Sequence, residues 1–547
     1  MRYAVILLGL LISAASVRAQ HHSAPAPAAG KVTLLSGLGS HHHPIATNNP
    51  EAQKFFDQGL TLIFGFNHDA AIAMFQRAAE LDPNAAMPQW GIALALGSNY
   101  NDPGNEERFA RAYLALQKAQ SLVANGAENE RAYVAALARR YSSDPKADRK
   151  KLDSDYEQAM AGLVRRYPDD LDAATLYAES LMNLRPWQLW TPDGTPAEGT
   201  EKIVAVLESV LRRDPNHVGA NHYYIHAVEA SRTPERALPS SARLLKLVPW
   251  AGHLVHMPAH IYFQLGEYDV TAVTNENAAA SDEEYLAKSR ATGIYQMMYY
   301  PHNVHFVAIS RMEQGNFAAA YAAAEKLAAF IAPRLQEMPV VEAFLATPYQ
   351  VLLRFGRWDE ILKLPAPDEK LAMTRIFWHF ARGTALAATA KLDAAEAERR
   401  AITELAKKVP ADAIYSMYGN KAHHFIDVMD VSMDARFAAA RGDHAGAAER
   451  WRKVVSLADT LNYGEPPEWY YPVRESLGAA LLRAGRAAEA ERTFRECLVR
   501  TPRNPRALFG LWQSLLAQKK AAEAKLVRPQ FEAAWKNADV KLRVEDL

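Results

Sequence analysis

From residue 51 onward the chain reads as helix almost throughout. Apolar residues recur at three- and four-residue spacing, broken by short polar turns. The pattern also repeats at a longer period. In FFDQGLTLIFGFNHDAAIAMFQRAAELDP, counted from Ala52, small residues fall at positions 8, 20 and 27 (Gly59, Ala71, Ala78). Phe75 holds position 24 and Pro83 position 32. Counted from Tyr471, Gly478, Ala490, Phe494, Cys497 and Pro502 hold the same places. Small residues let two antiparallel helices approach closely, large ones fill between them, and proline stops the second helix. Weaker copies between these two are marked by Pro249, Gly266 with Tyr268, Gly315 with Phe317, Gly356 with Trp358, and Gly442.

This spacing resembles the tetratricopeptide repeat (TPR), a helical hairpin repeating every ~34 residues. The resemblance spans residues 51–547 and implies an all-α solenoid of helix-turn-helix repeats wound as a right-handed superhelix. It implies a scaffold more readily than a reaction. Two copies are interrupted, by SNYNDPGNEE and by RPWQLWTPDGTPAEG (185–199). The second insert carries Trp187 and Trp190, and reads either as a lid or as a loop packed on its own tryptophans.

Histidines change the picture. HLVHMPAH places His253, His256 and His260 on one helical stripe. With copies counted from Val218, Gly252 and Pro301, His222 and His226 take positions 5 and 9. His253, His256 and His260 take 2, 5 and 9, and His302 and His305 take 2 and 5. In tetratricopeptide repeats those positions line the concave groove, so the resemblance points all seven into it. Shared register across three copies, at about 218–330, marks them as a ligand set. His68, His379, His423, His424 and His444 lack that register and read as surface or packing residues. Two histidines four apart on a helix can reach one ion, and neighbouring first helices lie ~8–10 Å apart. Two groups follow: His222, His226, His256 and His260, and then His253, His302 and His305, with His256 open to being shared by the second. Imidazole donors suit copper, zinc or iron. Glu229, at position 12, and Glu179, at position 9 of the copy from Leu171, are candidates to orient a ligand, complete a coordination sphere or act as a catalytic base.

The stretches NHYYIHAVEAS, GHLVHMPAHIY and YYPHNVHF, with HHHPI before the first copy, are similar to a group of exported bacterial TPR proteins. That group brings no reaction with it. His41, His42 and His43 are either further ligands or a surface run.

Composition narrows the choices. Residues 1–19 read as a secretory signal peptide, and 20–50 as a flexible leader rich in His, Ala and Pro. A periplasmic or secreted location follows, with no membrane insertion after cleavage. The single cysteine, Cys497, leaves packing and metal to stabilise an exported chain. Sixty-two basic residues balance sixty-two acidic ones, which gives nucleic-acid binding no support. No phosphate-binding glycine loop or G-x-S-x-G elbow occurs. Three functions remain: a metal-dependent enzyme or metalloprotein with a small-molecule or peptide ligand in the groove, a metal-free scaffold for a peptide or protein partner, and a metal storage or delivery protein.

Overall fold

A computed structural model describes residues 32–124, 126–289 and 293–547. The expected signal peptide, and the leader up to residue 31, lie outside these residues. Helix follows helix throughout, and among the described residues there are isolated β-bridges but no strand. None of the described helices is long and apolar enough to cross a membrane.

Local chemistry accounts for the helix ends. Asn49 caps Pro50–Phe64 by accepting from the backbone N–H groups of Glu51 and Ala52, and proline holds the first turn. Asn67, Asn316 and Asn504 cap His68–Leu81, Phe317–Ile331 and Pro505–Ala517 in the same way. The turn inside several hairpins uses a residue at positive φ. Gly266, Gly315 and Gly485 supply it at the fifteenth position of the copies beginning at Gly252, Pro301 and Tyr471. Phe66 holds the same place in the first copy at φ 53°, a conformation rare for a side-chain-bearing residue.

The small positions face the large ones, as a tight hairpin requires. A Cβ on Gly59 would lie 2.5 Å from the Phe75 ring, and one on Gly478 would lie 2.4 Å from Phe494. The architecture is therefore an all-α solenoid of TPR-type hairpins.

The solenoid closes on itself twice. Buried apolar residues form one core running from Leu38 to Tyr299 and another from Phe263 to Val527. In the first turn Pro50–Phe64 packs against Val218–Val228, where a Cβ on Gly219 would stand 2.5 Å from the Phe64 ring. The second turn closes where Gly266 meets the Pro502 carbonyl and Asn504 Nδ2 donates to Glu313 at 2.8 Å. Asp539 adds a further tie by accepting from the backbone N–H groups of Phe317 and Ala318 at 2.8 and 2.9 Å. Residues between about 252 and 313 serve both turns, and they carry His253, His256, His260, His302 and His305.

The leader departs from its expected flexibility. From Val32 on it is tied to neighbouring helices: Leu35 N–H donates to Gln58 and Ile45 N–H to Gln53 on the first helix, and Ala46 N–H donates to Glu130 on helix Glu128–Leu137. Leu38 and His43 are buried. Polar side chains on these helices satisfy the leader's backbone, which holds an otherwise low-complexity segment in place.

Candidate metal centre

Helix Val218–Val228 begins at His217, whose ring Nδ1 accepts from Ala220 N–H as an N-cap, and it is buried along its whole length. Gly252–His256 and Pro258–Gln264 follow, separated only at Met257. Met257 keeps helical angles (φ −50°, ψ −39°), so the proline costs one hydrogen bond without turning His260 away from His253 and His256. A π-helical turn, Tyr295–Tyr299, leads into Tyr300–Glu313 with His302 in its first turn. Such turns concentrate at functional sites.

These helices bring six of the seven expected histidines together, in a different grouping from the one their register suggested. One nitrogen of each of His222, His226 and His253 lies within 4.8 Å of the others, and the same holds for His256, His260 and His302. His253 therefore joins the Val218–Val228 helix, and His256 and His260 join His302. The tilt between successive repeats offsets equivalent positions along the helix axis, so position 2 of one copy meets positions 5 and 9 of the copy before. His305 belongs to neither triad among the described residues. It packs edge-on against Phe344 at 5.4 Å, and burial lowers its imidazole to about 4.

Hydrogen bonds fix the ring protons. His222 Nδ1 lies 2.5 Å from the Phe64 carbonyl, His226 Nδ1 3.1 Å from Glu229 Oε1, and His256 Nδ1 2.6 Å from Asn275 Oδ1. His260 Nδ1 bonds to Glu229 Oε2. Asn275 presents its oxygen because its amide N–H is spent on the Thr271 carbonyl at 2.9 Å. All four partners are acceptors, which assigns the proton to Nδ1 and leaves a lone pair on Nε2. Those Nε2 atoms face one another: His222 and His253 at 3.2 Å, His256 and His302 at 3.1 Å, His256 and His260 at 2.7 Å. His226 Nε2 and His253 Nδ1 have no hydrogen-bond partner.

His256 and His260 both commit their protons elsewhere, so their facing lone pairs repel at 2.7 Å unless a cation lies between them. Two imidazoles on a tetrahedral ion with metal–nitrogen bonds near 2.0–2.1 Å would stand about 3.3 Å apart. Two of the three separations match that figure, and the third requires a small ring rotation. Burial, followed by the neighbouring imidazoles, holds His222, His253 and His302 well below the ordinary histidine range. His256 is lowered as far by burial and by His260, and His226 is lowered mainly by burial. Neutral imidazole is the form that binds metal.

Glu229 joins the two triads. Its carboxylate accepts from His226 on one side and His260 on the other. Burial would raise it, but His260 and His226 bring it below the usual glutamate value. Among the roles open to it, this geometry favours orienting imidazoles.

Glu179 is not brought to the histidines. It is buried, accepts from Asn183 at 2.5 Å, and is raised by burial against the opposing field of Arg140. Its partners are Asn183 and Arg140, so a shared groove position does not become a shared site.

The expected open groove is roofed over. His222, His226, His253, His256 and His260 are 0–3% exposed and His302 is 8% exposed. Phe66 stacks on His226 and His253 at 6.0 and 5.7 Å. Trp187, from the long insert, meets His226 at 5.5 Å and Tyr418 at 4.7 Å, while Tyr100, from the other insert, meets His226 at 5.1 Å. Trp187 sits at φ +60°, a strained conformation that the packing around it must hold. Trp190 is pinned by its N–H to the Ala227 carbonyl at 2.8 Å. A narrow cleft remains, reaching His226, His253, His260 and His302 past Trp187, Tyr299 and Tyr418.

The HHHPI segment lands elsewhere. His41 Nε2 and His217 Nε2 lie 3.0 and 3.1 Å from Asp172 Oδ1, and His43 Nδ1 lies 2.7 Å from Oδ2. His42 is exposed, paired with Asp57 at 2.8 Å. Burial opposes the Asp172 charge, yet bonds from His217, His41 and His43 hold it well below the usual carboxylate range. His41 and His43 thus fasten the leader to the first turn. Sequence reasoning passed over Asp172, Asn275 and the Phe64 carbonyl, because nothing in local spacing marks a residue whose partner lies many repeats away. The histidines outside the register have ordinary partners: His68 bonds the Ala95 carbonyl, His379 bonds Glu398, and His423 bonds the Val409 carbonyl.

No family model matches the chain, and no curated protein matches its sequence. Among solved structures it is similar to the human IFIT1 dimer with m7Gppp-AAAA, at 12% identity over 91% of this chain and 92% of that one, with a TM-score of 0.32. It is also similar to yeast Tom70 (14% identity, 90% and 93%, TM-score 0.28) and to the P58(IPK) TPR domain (11%, 86% and 99%, TM-score 0.22). At these values no ligand or residue role passes from those proteins to this chain. Its class rests on its own hairpins: a TPR-type all-helical scaffold whose interior carries histidine groups geometrically able to hold metal ions.

Proposed function

We propose that this protein is an exported metalloprotein that holds two transition-metal ions, one on His222, His226 and His253 and one on His256, His260 and His302, with Glu229 orienting a ligand of each. The observation that carries this reading is the convergence of buried imidazoles in two triads, with the Nδ1 protons of His222, His226, His256 and His260 already committed to oxygen acceptors. Three imidazoles per ion suit zinc, copper or iron. The cleft touching His226, His253, His260 and His302 favours a coordination position open to a small molecule, as catalytic sites have and storage sites lack. A peptide laid along the groove is favoured less, because the histidine stripe lies under Phe66, Trp187 and Tyr418.

Elemental analysis of protein purified from the exported fraction tests this directly. Two ions per chain are expected, one after His222→Ala, and none after His226→Ala with His260→Ala, with helical content unchanged by circular dichroism. Metal-free wild-type protein that takes up no zinc, copper or iron on reconstitution, or a double variant that keeps its full complement, overturns the reading.

A further inference from the structure

Beyond the histidines, a second cleft of about 710 Å³ continues from the first, sharing Met298, His302, Met417 and Tyr418 with it. Its walls are largely apolar and aromatic, with Phe377 and Tyr415 stacked at 6.1 Å and Tyr415 edge-on to Phe425 at 5.3 Å. Two carboxyl groups, Glu465 and Glu468, line the same cleft. None of the described residues lining it is lysine or arginine.

Glu465 is 1% exposed. Its Oε1 accepts from Gln264 at 2.9 Å, while its Oε2 has no hydrogen-bond partner. Glu468 accepts from Asn420 at 2.8 Å. Burying a carboxyl group such as Glu465 without a counter-charge is costly, and a chain that needed only packing here could have used an apolar residue. Burial and the Glu229 charge push Glu465 well above the usual range, and burial pushes Glu468 up to about 7. An arriving cation would relieve both. An anion would be opposed by the ionised form of these acids, and a neutral ligand would gain nothing from it. Aromatic faces beside a carboxylate are the surroundings that attract an alkylated ammonium group.

We infer that this cleft binds an organic ammonium ion with an apolar body, Glu465 serving as its counter-ion and Phe377, Tyr415 and Phe425 as its aromatic wall. Because the cleft opens beside His302, the same ligand is the substrate class of the metal centre. That last step rests on the metal reading, whereas the binding does not.

Calorimetric titration of the full mature chain, as purified, with benzyltrimethylammonium, benzyl alcohol and benzoate tests it. The cation should bind at least about tenfold more tightly than the alcohol, the gain expected of one charge-assisted contact, and benzoate should bind weakest. Glu465→Gln should erase the preference for the cation and leave the alcohol within about twofold, and Glu468→Gln should reduce the preference by a smaller factor. Equal binding of cation and alcohol by the wild-type chain, or a preference for benzoate, overturns the inference whether or not the variants fold. A preference that survives Glu465→Gln does so as well. Metal content measured on the same samples separates the two readings. A chain that takes up no zinc, copper or iron on reconstitution yet keeps the preference sinks the metal centre alone, and a metal-loaded chain without it sinks this site alone.

Discussion

Glu229→Gln is the sharpest probe of the histidine centre because it changes one charge and almost no volume. The wild-type carboxylate accepts two ring N–H groups, one from each triad. Glutamine keeps one acceptor oxygen and turns the other into a donor. Whichever of His226 and His260 then faces the amide N–H must move its own proton to Nε2, and so loses the lone pair it would give to metal. A hydrogen bond to a charged group contributes about 1.5–3 kcal/mol. That corresponds to about 10–100-fold in affinity, the range typical of groups that orient metal ligands. Competition against a chromophoric zinc chelator at neutral pH should therefore show one of two ions weakened by that factor, with the other within a fewfold of wild type. Both ions retained within about twofold would refute the assignment of the ring protons, and with it the convergence of lone pairs.

Two further outcomes follow from the packing. Asp282 is buried, accepts from Tyr295 and Asn303 at 2.7 Å each, and is raised by burial to about 7. Its protonated form is the favoured one in the fold, so the stability it contributes is present below about pH 4 and is lost as pH rises to about 7, up to about 4 kcal/mol. Thermal melts of Asp282→Asn should lack that slope, so that its deficit relative to wild type narrows from pH 4 to pH 7; parallel curves would refute the effect. In the last hairpins, Gly478→Ala would set a methyl group 2.4 Å from a Phe494 ring that Gly510 confines from the other side. A loss of about 1–3 kcal/mol is expected, seen as a lower denaturant midpoint at unchanged m-value, and an unchanged midpoint would count against this register.

Much of this was legible along the chain. Gly59 with Phe75 and Gly478 with Phe494 announced the hairpins, because close helix packing demands a small residue opposite a large one in every copy. The shared register of His222, His226, His253, His256, His260 and His302 marked these residues as a set. What register could not supply was the grouping. His253 crosses to His222, and His305 at an equivalent position faces Phe344 instead. Glu179 had the right position in its copy and the wrong place in the superhelix. The roof of Phe66, Trp187, Tyr100 and Tyr418 is drawn from four distant segments, none of which carries a local sign of its role.

Hairpin periodicity is a nearest-neighbour property, written into a few residues per repeat, and the chain alone therefore determined an all-helical solenoid with imidazoles on one face of three adjacent helices. Closure is different. Whether the first helix returns to Val218–Val228, and whether Gly266 meets Pro502, depends on small tilts summed over many repeats, and each tilt reflects the packing of whole side chains. Only the tertiary structure decided that the face is buried, that its imidazoles meet in threes, and that a cleft lined by Glu465 and Glu468 leads to them.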